Sequence, residues 1–161
     1  MKQEATWKAF IAEDLTFGPK GLYVDLLPSS GWGFDPSINF SRGDWLRFCA
    51  HLFTRAERRC EACGAERVHL ESHERWGYNG EEKVMRLERF AALCNPCHQV
   101  THFGKLRIDR PEDGKEWGLA RLGEVNGWTP QKAEKHLSQA FALWRGRSKI
   151  SWNLDWNGFG A

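Results

Sequence analysis

The chain has almost no excess charge of either sign: 23 Lys and Arg stand against 21 Asp and Glu, a formal charge of +2. That balance excludes a polybasic coat for nucleic acid, though not a local basic groove. No apolar run approaches the ~18–20 residues that a membrane span needs. The opening MKQEATWKAFIAED is amphipathic and lacks a signal-peptide apolar segment, so the expected location is cytoplasmic, with reduced cysteines and no membrane partner. Internal repeats and low-complexity tracts are missing too, which excludes solenoids and linkers. Tyrosine is scarce, at two residues, against nine Trp and ten Phe, so the large aromatics are expected to do the packing. With 41% hydrophobic residues the chain is not disordered, and 161 residues suit a single domain.

The periodicities divide that domain into four parts. Residues 1–59 read as an N-terminal helix with Trp7, Phe10 and Ile11 on one face, a strand at 22–27, a Pro/Gly/Ser-rich loop, and a helix capped by Ser41 and running to about residue 59. In the loop, Trp32 suits an anchor in the core better than a wedge for stacking on bases. Residues 60–104 carry the cysteines. Residues 112–147 read as a helical hairpin turned by Asn126-Gly127, with Thr129-Pro130 opening its second helix. This segment could mimic a helix-turn-helix, but the apolar stripe Ala133, Leu137, Ala140, Phe141 and Trp144 favours packing. The alternation over 150–156 reads as a terminal strand.

Four of the five cysteines form two C-x-x-C pairs, Cys60/Cys63 and Cys94/Cys97. Two thiolates three positions apart grip one ion in a tight turn, and Gly64 eases that turn. Four complete a tetrahedral, closed zinc site whose binding energy contributes to folding. The fifth, Cys49, sits on the apolar stripe of its helix and reads as a core residue. Between the pairs, the stretch through Trp76 is suited to a hairpin, and Pro96 to an early helical position. Knuckle, hairpin and helix together make a treble-clef arrangement.

Histidines add a second group. His98 and His102 lie four residues apart on the helix beginning beside Cys97, a spacing at which two imidazoles share one divalent ion. Cys97 and His98 diverge by about a hundred degrees around that helix, so a closed and an open metal site are both expected. His73, flanked by Glu71 and Glu74, supplies the third ligand from the hairpin. Glu74, or His73 itself if it is not a ligand, is then the candidate base for activating water.

The runs CEACG, LESHERW and LCNPCHQVTH resemble the HNH endonucleases, also called ββα-metal nucleases, in their four-cysteine zinc-binding branch. The resemblance covers about residues 58–104. The whole chain, through LYVDLLPSSGWG, HERW, VNGW and FALWR, is similar to small bacterial and phage proteins of that family. It implies a ββα-metal core, hydrolysis of DNA phosphodiester bonds, a structural zinc, and a catalytic Mg, Mn or Zn ion held by His73, His98 and His102. It departs from the family pattern twice: Glu74 replaces the usual second histidine, and Arg89 the central asparagine. A shifted alignment, with His73 as base and Glu71 or Ser72 near the metal, stays open. Arg75 or Arg89 would stabilise phosphate charge, and Arg75, Arg86 and Lys105 would contact DNA.

The expected fold is therefore α+β: a treble-clef core flanked by an N-terminal helix and strand and by the C-terminal helical hairpin. The expected function is a metal-dependent endodeoxyribonuclease. The competing class is a non-catalytic accessory or inhibitor protein using the same fold to bind nucleic acid or a protein partner.

Overall fold

LESHERWGYN and VMRLERFAALC pair as one long antiparallel hairpin, β1 (Leu70–Asn79) and β2 (Val84–Cys94), in a computed structural model that describes residues 10–160. Asn79 makes the turn, its side-chain oxygen accepting from the amides of Glu81 and Glu82 at 3.1 Å. The register sets Glu71 opposite Leu93, His73 opposite Ala91 and Glu74 opposite Phe90, with an irregularity between Arg75 and Trp76. Side chains alternate across a strand, so Glu71, His73 and Arg75 leave one face while Ser72 and Glu74 leave the other. A third strand, β3 (Asn153–Asp155), lies parallel to β2 and completes the order β1-β2-β3. The expected terminal strand over 150–156 is thus reduced to three ladder residues.

Helix α1 (Arg42–Arg55) starts where Ser41 accepts from the Asp44 amide at 3.1 Å. It ends before residue 59, because Glu57 and Arg58 turn into the left-handed region, each with φ 55°. Phe48 of this helix meets Phe90 of β2 at 4.6 Å between ring centroids, and Phe159 meets Phe90 at 4.7 Å and Phe10 at 5.3 Å. These edge-on and tilted aromatics join four distant segments and account for much of the phenylalanine content.

After β2 come α2 (Asn95–Thr101), α3 (Phe103–Asp109), α4 (Gly114–Asn126) and α5 (Pro130–Arg147). The structure is therefore α+β, a small three-stranded sheet with helices. Thr129 caps α5 by accepting from Lys132 at 3.2 Å, and Gly127 ends α4 at φ 66°. At Gly118 a Cβ would lie 2.4 Å from the Phe103 ring, so α4 approaches α3 only because that position has no side chain. Among the described residues no helix is long and apolar enough to cross a membrane.

Three further sequence expectations change. Most of the N-terminal helix lies outside the described residues, and its last part, 10–14, is turn rather than helix. Residues 22–27 join no ladder. The Leu22 amide and carbonyl pair with the Asn126 side chain, the Val24 amide donates to His136 Nε2 at 2.9 Å, and the Asp25 amide donates to Thr101 O at 3.0 Å. This segment is clamped to α2, α4 and α5, which satisfy backbone groups that a sheet would have used. Trp32 is 66% exposed rather than anchored in the core.

Candidate metal centre

The knuckle forms because Gly64 adopts φ 76°, letting its amide donate to Cys60 O at 2.8 Å while the Cys60 amide donates to Ala65 O at 3.0 Å. Glu61 then fastens the knuckle to the edge of β2 that β1 leaves open. Its amide donates to Ala92 O, and its carboxylate accepts from the Ala92 amide at 2.6 Å. Cys94 ends β2 and Cys97 lies in the first turn of α2, so the two pairs meet at the root of the hairpin.

The four sulfurs lie within 4.8 Å of one another, with Cys63 and Cys94 Sγ 3.7 Å apart. Zinc–sulfur bonds of about 2.3 Å give a tetrahedron with edges of about 3.8 Å, so the donor set fits a zinc ion. Arg121 of α4 reaches Cys97 Sγ at 3.5 Å. Four thiolates around a dication carry two net negative charges, which this guanidinium opposes. Cys49 lies outside the group, half-buried on α1.

On the other face of α2 a second group gathers. His73 of β1, His98 of α2 and His102 offer nitrogen atoms within 4.8 Å of one another. The expected continuous helix is broken at His102 (φ −91°, ψ 54°), between α2 and α3. Its Nε2 still stands 3.1 Å from Nε2 of His98. Burial pushes the His102 imidazole down to about 3 and that of His73 down to about 4, so both rings are neutral at pH 7 and present lone pairs.

Two carboxylates set which nitrogen is free. Glu71 lies 2.7 Å from His98 Nδ1, and a carboxylate only accepts, so that nitrogen carries a proton and Nε2 is the one that faces the other imidazoles. Asp25, delivered by the clamped segment, lies 3.4 Å from His73 Nε2 and 3.3 Å from Arg75, whose guanidinium stacks on Tyr23 at 4.0 Å. Against the upward push of burial, His73 and Arg75 hold the Asp25 carboxyl below the usual range. His73 Nδ1 is then left buried without a partner, an orphaned acceptor of the kind a metal ion satisfies. A cleft of about 290 Å³ opens onto His98 and His102, with Glu71, Asn95, Lys105 and Arg110 along its walls.

The structure brings together His73, His98 and His102, and sets Lys105 at the cleft. It does not bring Glu74, Arg75, Arg86 or Arg89 there as reagents. Glu74 leaves the opposite face of β1, the face on which Phe90 meets α1. Arg89 donates to Glu61 at 2.9 Å and to Leu15 O at 2.6 Å, a brace of the knuckle edge rather than a phosphate ligand. Arg75 is buried against Asp25. Arg86 pairs with Asp155 at 2.8 Å near the turn end of the hairpin, five residues along β2 from the partner of His73. Sequence reasoning missed Asp25 and Arg121. The one available signal was a carboxylate inside the apolar run LYVDLL, since a buried carboxylate requires a partner.

Glu74 has a different consequence. Burial pushes its carboxyl up to about 7. Its folded value lies above its unfolded one, so it costs stability once pH rises past the unfolded carboxylate range, with the full cost reached above about 7. Glu74→Gln is expected to raise Tm by a few degrees at about pH 8 and to leave it unchanged at about pH 4. Thermal melts at the two pH values check this, and an equal shift at both would dismiss the buried charge as the cause.

Compared with known proteins, the chain matches no family model, no curated protein and no solved structure.

Proposed function

We propose that this protein is an HNH-type, metal-dependent endonuclease that hydrolyses DNA phosphodiester bonds, with a treble-clef ββα-metal core. The observation that carries the reading is the cluster of three imidazoles, two of which, His98 and His102, line an open cleft, separate from the four thiolates. A closed four-sulfur site serves structure, whereas a three-nitrogen site leaves positions for water and a phosphate oxygen. A divalent ion such as Mg, Mn or Zn, held there by His73, His98 and His102, would supply Lewis-acid polarisation of a phosphoryl oxygen and would make a bound water more acidic.

The chain's own residues do the rest. Glu71 holds His98 through Nδ1 and leaves its Nε2 toward the cluster, and Asp25 holds His73 through Nε2 and leaves its Nδ1. Glu71 is the carboxylate beside the cluster that also lines the cleft, so the proton-accepting role given to Glu74 moves to it. Lys105, exposed and paired with Asp109 on its own helix, meets the phosphate backbone.

Supercoiled plasmid with Mn or Mg tests this. Wild-type protein is expected to nick it, and His98→Ala to lower the rate by at least about a hundredfold, because even partners of metal ligands are worth ten- to a hundredfold. Metal-loaded protein that cuts neither duplex nor single-stranded DNA would overturn the hydrolase reading in favour of a binding module.

A further inference from the structure

Beside the histidine cleft lies a cavity of opposite character, about 460 Å³ in volume and walled by Leu27, Trp32, Ile108, Phe141 and Trp144. The two spaces share a border, because His102 and Lys105 line both. The indole N–H groups of Trp32 and Trp144 each donate to the carbonyl of Leu27 at 3.1 Å. Their polar ends are thus satisfied internally, which leaves the ring faces for apolar contact.

Trp32 is also held in place by its loop. Its segment contains two short 3₁₀ turns (Ser29–Gly31 and Pro36–Asn39), and the Ser29 amide donates to Ser148 Oγ at 3.0 Å, tying it to the end of α5. Yet Trp32 is 66% exposed, and Ile108 on α3 is 79% exposed. An indole already fixed in place loses little conformational freedom when a flat ring stacks on it.

We propose that this cavity receives one unpaired nucleobase of the strand being cut, adjacent to the scissile phosphate, so that the substrate is single-stranded or locally unpaired nucleic acid. The inference rests on the reading of the histidine cluster as a phosphodiester site. A strand whose phosphate sits at His98 and His102 passes Lys105 and brings its neighbouring nucleotide to the shared border. The occupant must then combine a flat apolar face with an anionic backbone. A nucleobase does so, and a base still paired within a duplex cannot turn its face into the cavity.

The test compares binding of the full chain, with no divalent ion added, to three labelled probes: a short thymidine oligonucleotide, the same backbone with abasic positions, and a blunt duplex. Fluorescence anisotropy is expected to give about tenfold tighter binding of the thymidine probe than of either other probe. Trp32→Ala should erase that difference, and Trp32→Phe should keep most of it. An unchanged zinc content and melting curve establish that the exposed substitution leaves the fold intact. Equal binding of thymidine and abasic probes by wild type would overturn the proposal, as would a base preference that survives Trp32→Ala. Self-association through Trp32, seen by sedimentation without base preference, would overturn it also. Plasmid nicking is scored separately: lost nicking with retained base preference removes the hydrolase reading alone, and the converse removes this one alone.

Discussion

Chelating the four-cysteine site, or replacing Cys97 with Ser, is expected to abolish cooperative folding at room temperature. The free energy of a structural zinc bound by four thiolates is about 10–16 kcal/mol. A domain of this size has a total stability of about 5–15 kcal/mol, so losing the ion exceeds or matches the whole margin. The location of the sulfurs explains why little else would compensate. The knuckle is held to β2 by Glu61, which pairs with Ala92, Arg55 and Arg89. Those partners lie on or beside β2, whose root is the site itself. Without the ion, Cys60, Cys94 and Cys97 become buried thiols, and Arg121 loses its thiolate partner and keeps only Glu124. Metal analysis should find one zinc per chain that survives dialysis. Circular dichroism during chelation should show the sigmoidal melt disappear. A chelated, zinc-free protein with an unchanged melt would reject a structural metal.

What could be read in the sequence was local chemistry with a fixed offset. The C-x-x-C pairs, the Ser41 and Thr129 caps, the 127 turn and the His98/His102 spacing all depend on neighbours a few residues away. The donor groups are legible in the sequence alone. What could not be read was which face a side chain leaves and what lies across from it. His73 and Glu74 are adjacent in LESHERW, yet strand alternation sends one to the metal cluster and the other toward α1, and that depends on which face α2 covers. Likewise the run LYVDLL has strand composition, but the hydrogen bonds that hold it come from Asn126, His136 and Thr101, far along the chain. Arg75 and Arg89 looked like phosphate ligands because arginine is mostly exposed. Here each has a carboxylate partner, Asp25 and Glu61, supplied by a different segment.

Asp25→Asn is expected to weaken divalent-ion binding at the histidine cluster ten- to a hundredfold while leaving the four-cysteine zinc in place. A carboxylate at His73 Nε2 fixes the tautomer and raises the donor strength of the other nitrogen; the loss of such a partner in metal sites is worth that factor. The amide substitution keeps an acceptor oxygen and nearly the same volume, so the backbone bond from residue 25 to Thr101 O persists. Asp25→Ala is a poorer probe. It would leave Arg75, 5% exposed, as a buried and unpaired cation, which costs about 3–5 kcal/mol and confuses unfolding with loss of affinity. Pairing Asp25→Asn with Arg75→Gln removes that charge and separates the two effects. If the weakening follows the carboxylate, the double variant still binds Mn poorly by titration calorimetry although its melt recovers. If affinity recovers together with stability, Asp25 serves only to neutralise Arg75, and orientation of His73 belongs to packing alone.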